Sequence, residues 1–147
     1  MRQEETNPEI NLLLGRRTRT REGEAPSMLR ALAWLQGIFY VLTGVWPLVS
    51  IGTFVMVTGP KVDLWLVKTA GVLITVIGAT LLLAARRRRI GPEMVFLAAG
   101  SAAGLAGIDL VYALSDRIWD IYLLDAVVEI ALVLLWLVAC RRAGDRP

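Results

Sequence analysis

Four ionisable side chains, Lys68, Asp109, Asp125 and Glu129, lie inside long apolar runs of this chain. A charge at the centre of a bilayer costs about 2.5 to 3.5 kcal/mol on insertion scales, so such residues turn toward protein or water and often mark proton or ion sites. Two kinds of chemistry suit the set. In the first, Lys68 pairs with Asp109 or Asp125 and the buried pair fixes helix register, the alternative course for Lys68 being to snorkel outward to the headgroups; breaking such a pair typically costs about 3 to 5 kcal/mol. In the second, Glu129, the deepest at about 13 Å along its helix from Asp120, binds a proton or a cationic substrate. One lysine cannot neutralise three carboxylates, which leaves at least one acid protonated or able to exchange a proton. Tyr40, Thr43 and Tyr112 are placed to add hydrogen bonds, and Tyr40 and Tyr112 complete the candidate intramembrane cluster.

A third chemistry, acid–base catalysis on a lipid, needs the same carboxylates beside a substrate pocket. No nucleophile, metal-ligand cluster or phosphate-binding glycine loop accompanies them, so neither a cofactor nor a metal is expected and the favoured reading is non-enzymatic. The chain has no histidine and one cysteine, Cys140, which excludes histidine catalysis and an intrachain disulfide. Cys140 follows the last apolar run and reads as a small interfacial residue.

The elements that must position these residues are membrane spans. Of the 147 residues, 56% are hydrophobic, above the roughly 45 to 50% of soluble domains, and the mean hydropathy is +0.58. Four consecutive arginines, Arg86, Arg87, Arg88 and Arg89, separate two runs that are each long enough to cross a bilayer. By the positive-inside rule they mark a cytoplasmic loop. The spans are then about 29–51, 64–85, 94–114 and 120–140, with a basic, disordered cytoplasmic tail at 1–27 and a cytoplasmic C-terminus at 143–147. Thirteen of the sixteen Lys and Arg fall on the inner side of this arrangement, leaving Lys61, Lys68 and Arg117 outside. The predicted fold class is all-α: a polytopic membrane protein with four transmembrane helices in an up-down bundle. Its setting is the lipid bilayer of a cell (inner) membrane, with both termini cytoplasmic. The arginines abut apolar spans and compete for anionic headgroups, so nucleic acid is not an expected partner.

Within this frame, Pro47 interrupts the end of the first span, and 50–61 reads as an outer loop or interfacial turn. Asp63 is placed to cap the second helix. Glycines mark the close approaches: Gly37 and Gly44 on the first helix, Gly71 and Gly78 on the second, and Gly100, Gly104 and Gly107 on the third. At 100° per residue the last three share one stripe about 60° wide, with Asp109 on the opposite side. If Asp109 faces inward, that stripe is free to meet a second protomer, and a homo-oligomer through the third helix is expected. On the fourth helix Asp125, Glu129, Leu132 and Trp136 share a face that must turn away from lipid.

The halves also align. Asp63-Leu-Trp-Leu-Val-Lys68 matches Asp120-Ile-Tyr-Leu-Leu-Asp125, and Leu35, Gly37, Ile38 and Val41 match Leu105, Gly107, Ile108 and Val111. Either two repeated hairpins or chance similarity between Leu-rich helices accounts for this. The run TGPKVDLWLVKT at 58–69, preceded by LTGVWP at 42–47, resembles motifs of small uncharacterised bacterial four-helix integral membrane proteins. That resemblance implies a bacterial inner-membrane protein and carries no activity. In length and helix count the chain is also similar to small multidrug-resistance transporters, but those use a glutamate in the first helix. Here the first span carries no acid and the intramembrane glutamate is in the fourth, so drug–proton antiport does not carry over.

Overall fold

The computed structural model of the chain describes residues 27–115 and 117–144. The expected basic tail, apart from residue 27, lies outside the described residues, as do residue 116 and 145–147. Among the described residues five helices follow one another: α1 (Ser27–Val49), α2 (Ile51–Thr58), α3 (Leu64–Arg86), α4 (Pro92–Ala113) and α5 (Ile121–Gly144). All but α2 are apolar and long enough to cross a membrane. At about 1.5 Å per residue, 22 to 24 residues reach about 33 to 36 Å, against roughly 30 Å of hydrocarbon. The chain is a multi-pass helical membrane protein, and its large exposed apolar side chains, such as Leu42, Val72, Phe96 and Val127, are the surface that lipid covers.

The helices pair as hairpins. α1 lies along α3 and α4 along α5, with lighter contact of α1 on α5 and of α3 on α4 joining the pairs. The α1–α3 seam is built on glycine. A Cβ at Gly44 would sit 2.7 Å from the Gly71 carbonyl oxygen, and one at Gly78 would sit 2.8 Å from that of Gly37. Backbone meets backbone at two levels, a separation that no side chain permits. By contrast, no described residue lies within 4 Å of a Cβ at Gly100, Gly104 or Gly107, while Asp109 is buried on the other side of α4. Positions aligned between the halves therefore have different surroundings: Gly37 is closed against α3, and its counterpart Gly107 is open.

Each helix end has a local cause. The arginine run ends α3 in a double hydrogen bond, from Arg88 N–H to the Ala85 carbonyl and from Arg89 N–H to that of Ala84. This Schellman closure puts Arg88 at φ 56°, a left-handed position that glycine usually takes. α4 starts with Gly91 extended, Pro92 in its first turn and Glu93 behind it, which suits the positive end of the helix dipole. α1 passes Pro47 and stops at Val49, and the segment expected as loop instead re-forms as α2 after Ser50. The side chain of Trp46 stabilises that corner, donating from Nε1 to Thr53 Oγ1 at 2.9 Å and meeting Phe54 edge-on at 5.6 Å. Asp63 precedes α3 without capping it: its carboxylate accepts no N–H of the first turn, and its backbone carbonyl accepts from Leu66 and Val67 instead.

The bundle has two storeys. At the arginine end, Leu29, Leu32 and Ala33 of α1, Leu81 and Ala85 of α3, Ala98 of α4, and Trp136 and Ala139 of α5 form one apolar core. Toward the opposite end the helices enclose space instead of filling it.

Candidate functional site

The glycine seam determines where the polar residues of α1 point. With Gly78 against the base of Tyr40, the tyrosine ring is directed away from α3 and its hydroxyl reaches α5. Tyr40 Oη donates to Glu129 Oε2 at 2.9 Å, in a fully buried contact. One turn earlier, Gln36 bridges two helices: its Nε2 donates to the Ala98 carbonyl at 2.8 Å, and its Oε1 accepts from Trp136 Nε1 at 2.7 Å. Each such bond contributes about 1 kcal/mol net, and leaving one of these buried groups unpaired costs about 1 to 3 kcal/mol. Tyr40 and Gln36 thus add polar contacts from α1 to α4 and α5, above the apolar core that these helices share.

Above Tyr40 the balance of donors and acceptors fails. Glu129 is 0% exposed and Asp109 6% exposed. Glu129 has only the Tyr40 donor, and its Oε1, like Asp109 Oδ2, is buried without a hydrogen-bond partner among the described residues. Asp125, half-buried one turn from Glu129, lies within hydrogen-bonding reach of Asp109 when one of the two carries a proton. All three carboxyls line a cavity of about 450 Å³. The rest of its wall is mostly apolar and aromatic, with Phe39, Trp46 and Pro47 from α1, Val67, Gly71 and Ile74 from α3, and Tyr122 and Leu124 from α5. Phe54, Val57 and Thr58 of α2 supply its roof. Beyond Thr58, Gly59 turns with φ 88° against the Trp119 ring, and Lys61 Nζ donates to the Thr58 carbonyl while standing 4.9 Å from the centre of the Tyr122 ring.

Lys68 does not join the carboxyls. It is exposed on α3, does not line the cavity and makes no ion pair with any described carboxylate. The expected pairing with Asp109 or Asp125 is therefore corrected: α3 turns Gly71 and Gly78 toward α1, and Lys68 projects elsewhere. Tyr112 is likewise about half exposed and outside the cavity. Tyr40, Asp109, Asp125 and Glu129 are the members brought together. Asp109, Asp125 and Glu129 do not form a metal-holding group, and none exists among the described residues. Arg86, Arg87, Arg88 and Arg89 are exposed at the far end of the bundle.

Sequence reasoning missed Gln36 and the part played by Trp136 beyond its face. A polar side chain in an apolar run, one turn from Tyr40, was the available signal for Gln36. The roof formed by α2 had no comparable signal.

These features define a class: a polytopic helical membrane protein with a carboxyl-lined cavity toward the end of the bundle remote from its arginines. No protein-family model, curated protein or solved structure matches the chain. The functional reading therefore rests on the site itself.

Proposed function

We propose that this chain is a non-enzymatic bacterial inner-membrane protein, with both termini cytoplasmic, whose cavity binds a cation in exchange for a proton. The observation that carries this reading is Glu129: fully buried and, among the described residues, bonded once, with its second oxygen unpartnered against a cavity that no described lysine or arginine lines. A carboxylate left in that state is costly, by several kcal/mol for an unpaired buried ion. Two conditions relieve the cost: a proton on the acid, or a cation beside it. Alternation between them is proton-linked cation binding. The groups facing Glu129 are Tyr40 from α1, Asp109 from α4 and Asp125 from its own helix, and α2 and α3 contribute no titratable side chain to the cavity.

The apolar core at the arginine end seals the cavity from that side. Binding needs no change in the seal, whereas transport requires it to part. Proteoliposomes with an internal pH dye test the reading: cation-dependent proton movement is expected for the native chain and not for Glu129→Gln. Identical traces from native, variant and protein-free vesicles oppose it. The open face of α4 at Gly100, Gly104 and Gly107 supports a second element of the proposal, self-association through the third span.

A further inference from the structure

We infer that the cavity takes a protonated amine carried on an apolar body, its ammonium N–H groups donating to Glu129 Oε1 and Asp109 Oδ2. This rests on the cation-binding reading above and names the class of cation. Three observations lead to it. Both unpartnered atoms are carboxyl oxygens, each nine-tenths or more buried, and what an ionised carboxyl oxygen lacks is a donor. An ammonium group provides up to three donors from a single charge, enough in number for the two oxygens.

The wall then selects what the nitrogen is attached to. Phe39, Trp46, Phe54 and Tyr122 give the cavity aromatic surface, which suits both a cation and a ring or short alkyl chain. About 450 Å³ lies within the roughly 300 to 1,000 Å³ of small-molecule pockets and is far more than a bare metal ion fills. The described acids also fail to form a metal-holding group. A quaternary ammonium would gain from the aromatic faces but has no N–H for the two oxygens. An anion would meet three carboxyls.

Val57, Ile121 and Leu124 line the cavity and are also exposed on the bundle surface, so its wall reaches the lipid-facing side. A lipophilic amine partitions to that depth and need not cross the apolar core. The exchange balances in charge: a proton leaves the protonated Glu129 for solvent as one ammonium enters, and the carboxylate that remains carries the new ion pair.

The test uses the full chain in nanodiscs and three probes of one shape: phenylbutylamine, its trimethylammonium analogue and phenylbutanol. Binding is read by calorimetry in two buffers of different protonation enthalpy, which also counts protons released. The amine is expected to bind saturably, about tenfold or more tighter than either analogue, as the loss of a charge-assisted hydrogen bond implies, with proton release. Glu129→Gln and Asp109→Asn should each weaken the amine by a similar factor and leave phenylbutanol unchanged. Glu129→Gln retains an acceptor for Tyr40, and unchanged phenylbutanol binding shows that the cavity has kept its shape. If the trimethylammonium analogue binds as tightly as the amine and also weakens in Glu129→Gln, the amine assignment is overturned and the cation site stands. If phenylbutanol equals the amine, or neither variant alters amine binding, both readings fall.

Discussion

Replacing Gly44 by alanine tests whether the α1–α3 seam is what places Tyr40. Two effects compete. Alanine is favoured over glycine in a helix by about 1 kcal/mol, which by itself would stabilise the variant. Against this, the new Cβ would lie 2.6 Å from Thr75 Oγ1, 2.7 Å from the Gly71 carbonyl oxygen and 2.8 Å from the Thr75 amide nitrogen. Two of these atoms are backbone, and the hydroxyl is itself held at 2.7 Å by the Gly71 carbonyl, so none can rotate aside. The helices must separate by several tenths of an ångström, and overpacking of this kind typically costs about 1 to 3 kcal/mol. The net expectation is a destabilisation of up to about 2 kcal/mol. Gly104→Ala is the internal control, because nothing lies within 4 Å of its Cβ and only the favourable term of about 1 kcal/mol remains. Reversible unfolding in mixed micelles, at dilutions that keep the chain monomeric, gives both numbers. Equal stability of Gly44→Ala and Gly104→Ala, or the reverse order, would refute the seam.

Three further outcomes follow from the same geometry. Tyr40→Phe removes the only side-chain hydrogen bond to Glu129 among the described residues and should cost about 1 to 3 kcal/mol in the same unfolding assay. Lys68→Ala, at an exposed position with no ion pair among the described residues, should alter stability by less than about 0.5 kcal/mol; a loss of several kcal/mol would restore the buried-pair reading. Leucine at both Gly100 and Gly104 should reduce cross-linking between copies in native membranes without lowering monomer stability, and an unchanged cross-linking pattern opposes association through α4.

The spans were legible because apolar length and clustered arginine act locally. A run of about 20 apolar residues has few alternatives, and Arg86 to Arg89 can only border it. The direction of α5 was legible for a related reason. Its apolar residues surround the helix and carry no facing information, so Asp125 and Glu129 alone distinguished its inner side, and Glu129, Leu132 and Trp136 are indeed buried. What could not be read depends on contacts between distant segments. Gln36 bonds the Ala98 carbonyl, a backbone atom 62 residues away that no residue identity announces. The glycines of α1, α3 and α4 look alike in spacing, yet only the first two sets meet backbone, because that depends on which helices are neighbours. Lys68 had two courses open to it, outward to the headgroups or inward to a carboxylate, and only the packing of the helices decides between them: it is exposed on α3. α2 escaped because Pro47 and Gly59 both signal a break, yet within the segment between them the eight residues Ile51–Thr58 are enough for two helical turns.

The central claim is that a fully buried Glu129 carries an exchangeable proton at a cavity reached from the lipid side. A lipophilic carbodiimide, which modifies protonated carboxyls in apolar surroundings, tests it most directly in native membranes, with modified residues located by mass spectrometry. Modification is expected at Glu129, absent in Glu129→Gln and suppressed by phenylbutylamine. Modification confined to Asp63, Glu93 and Asp120, with Glu129 untouched, would contradict it.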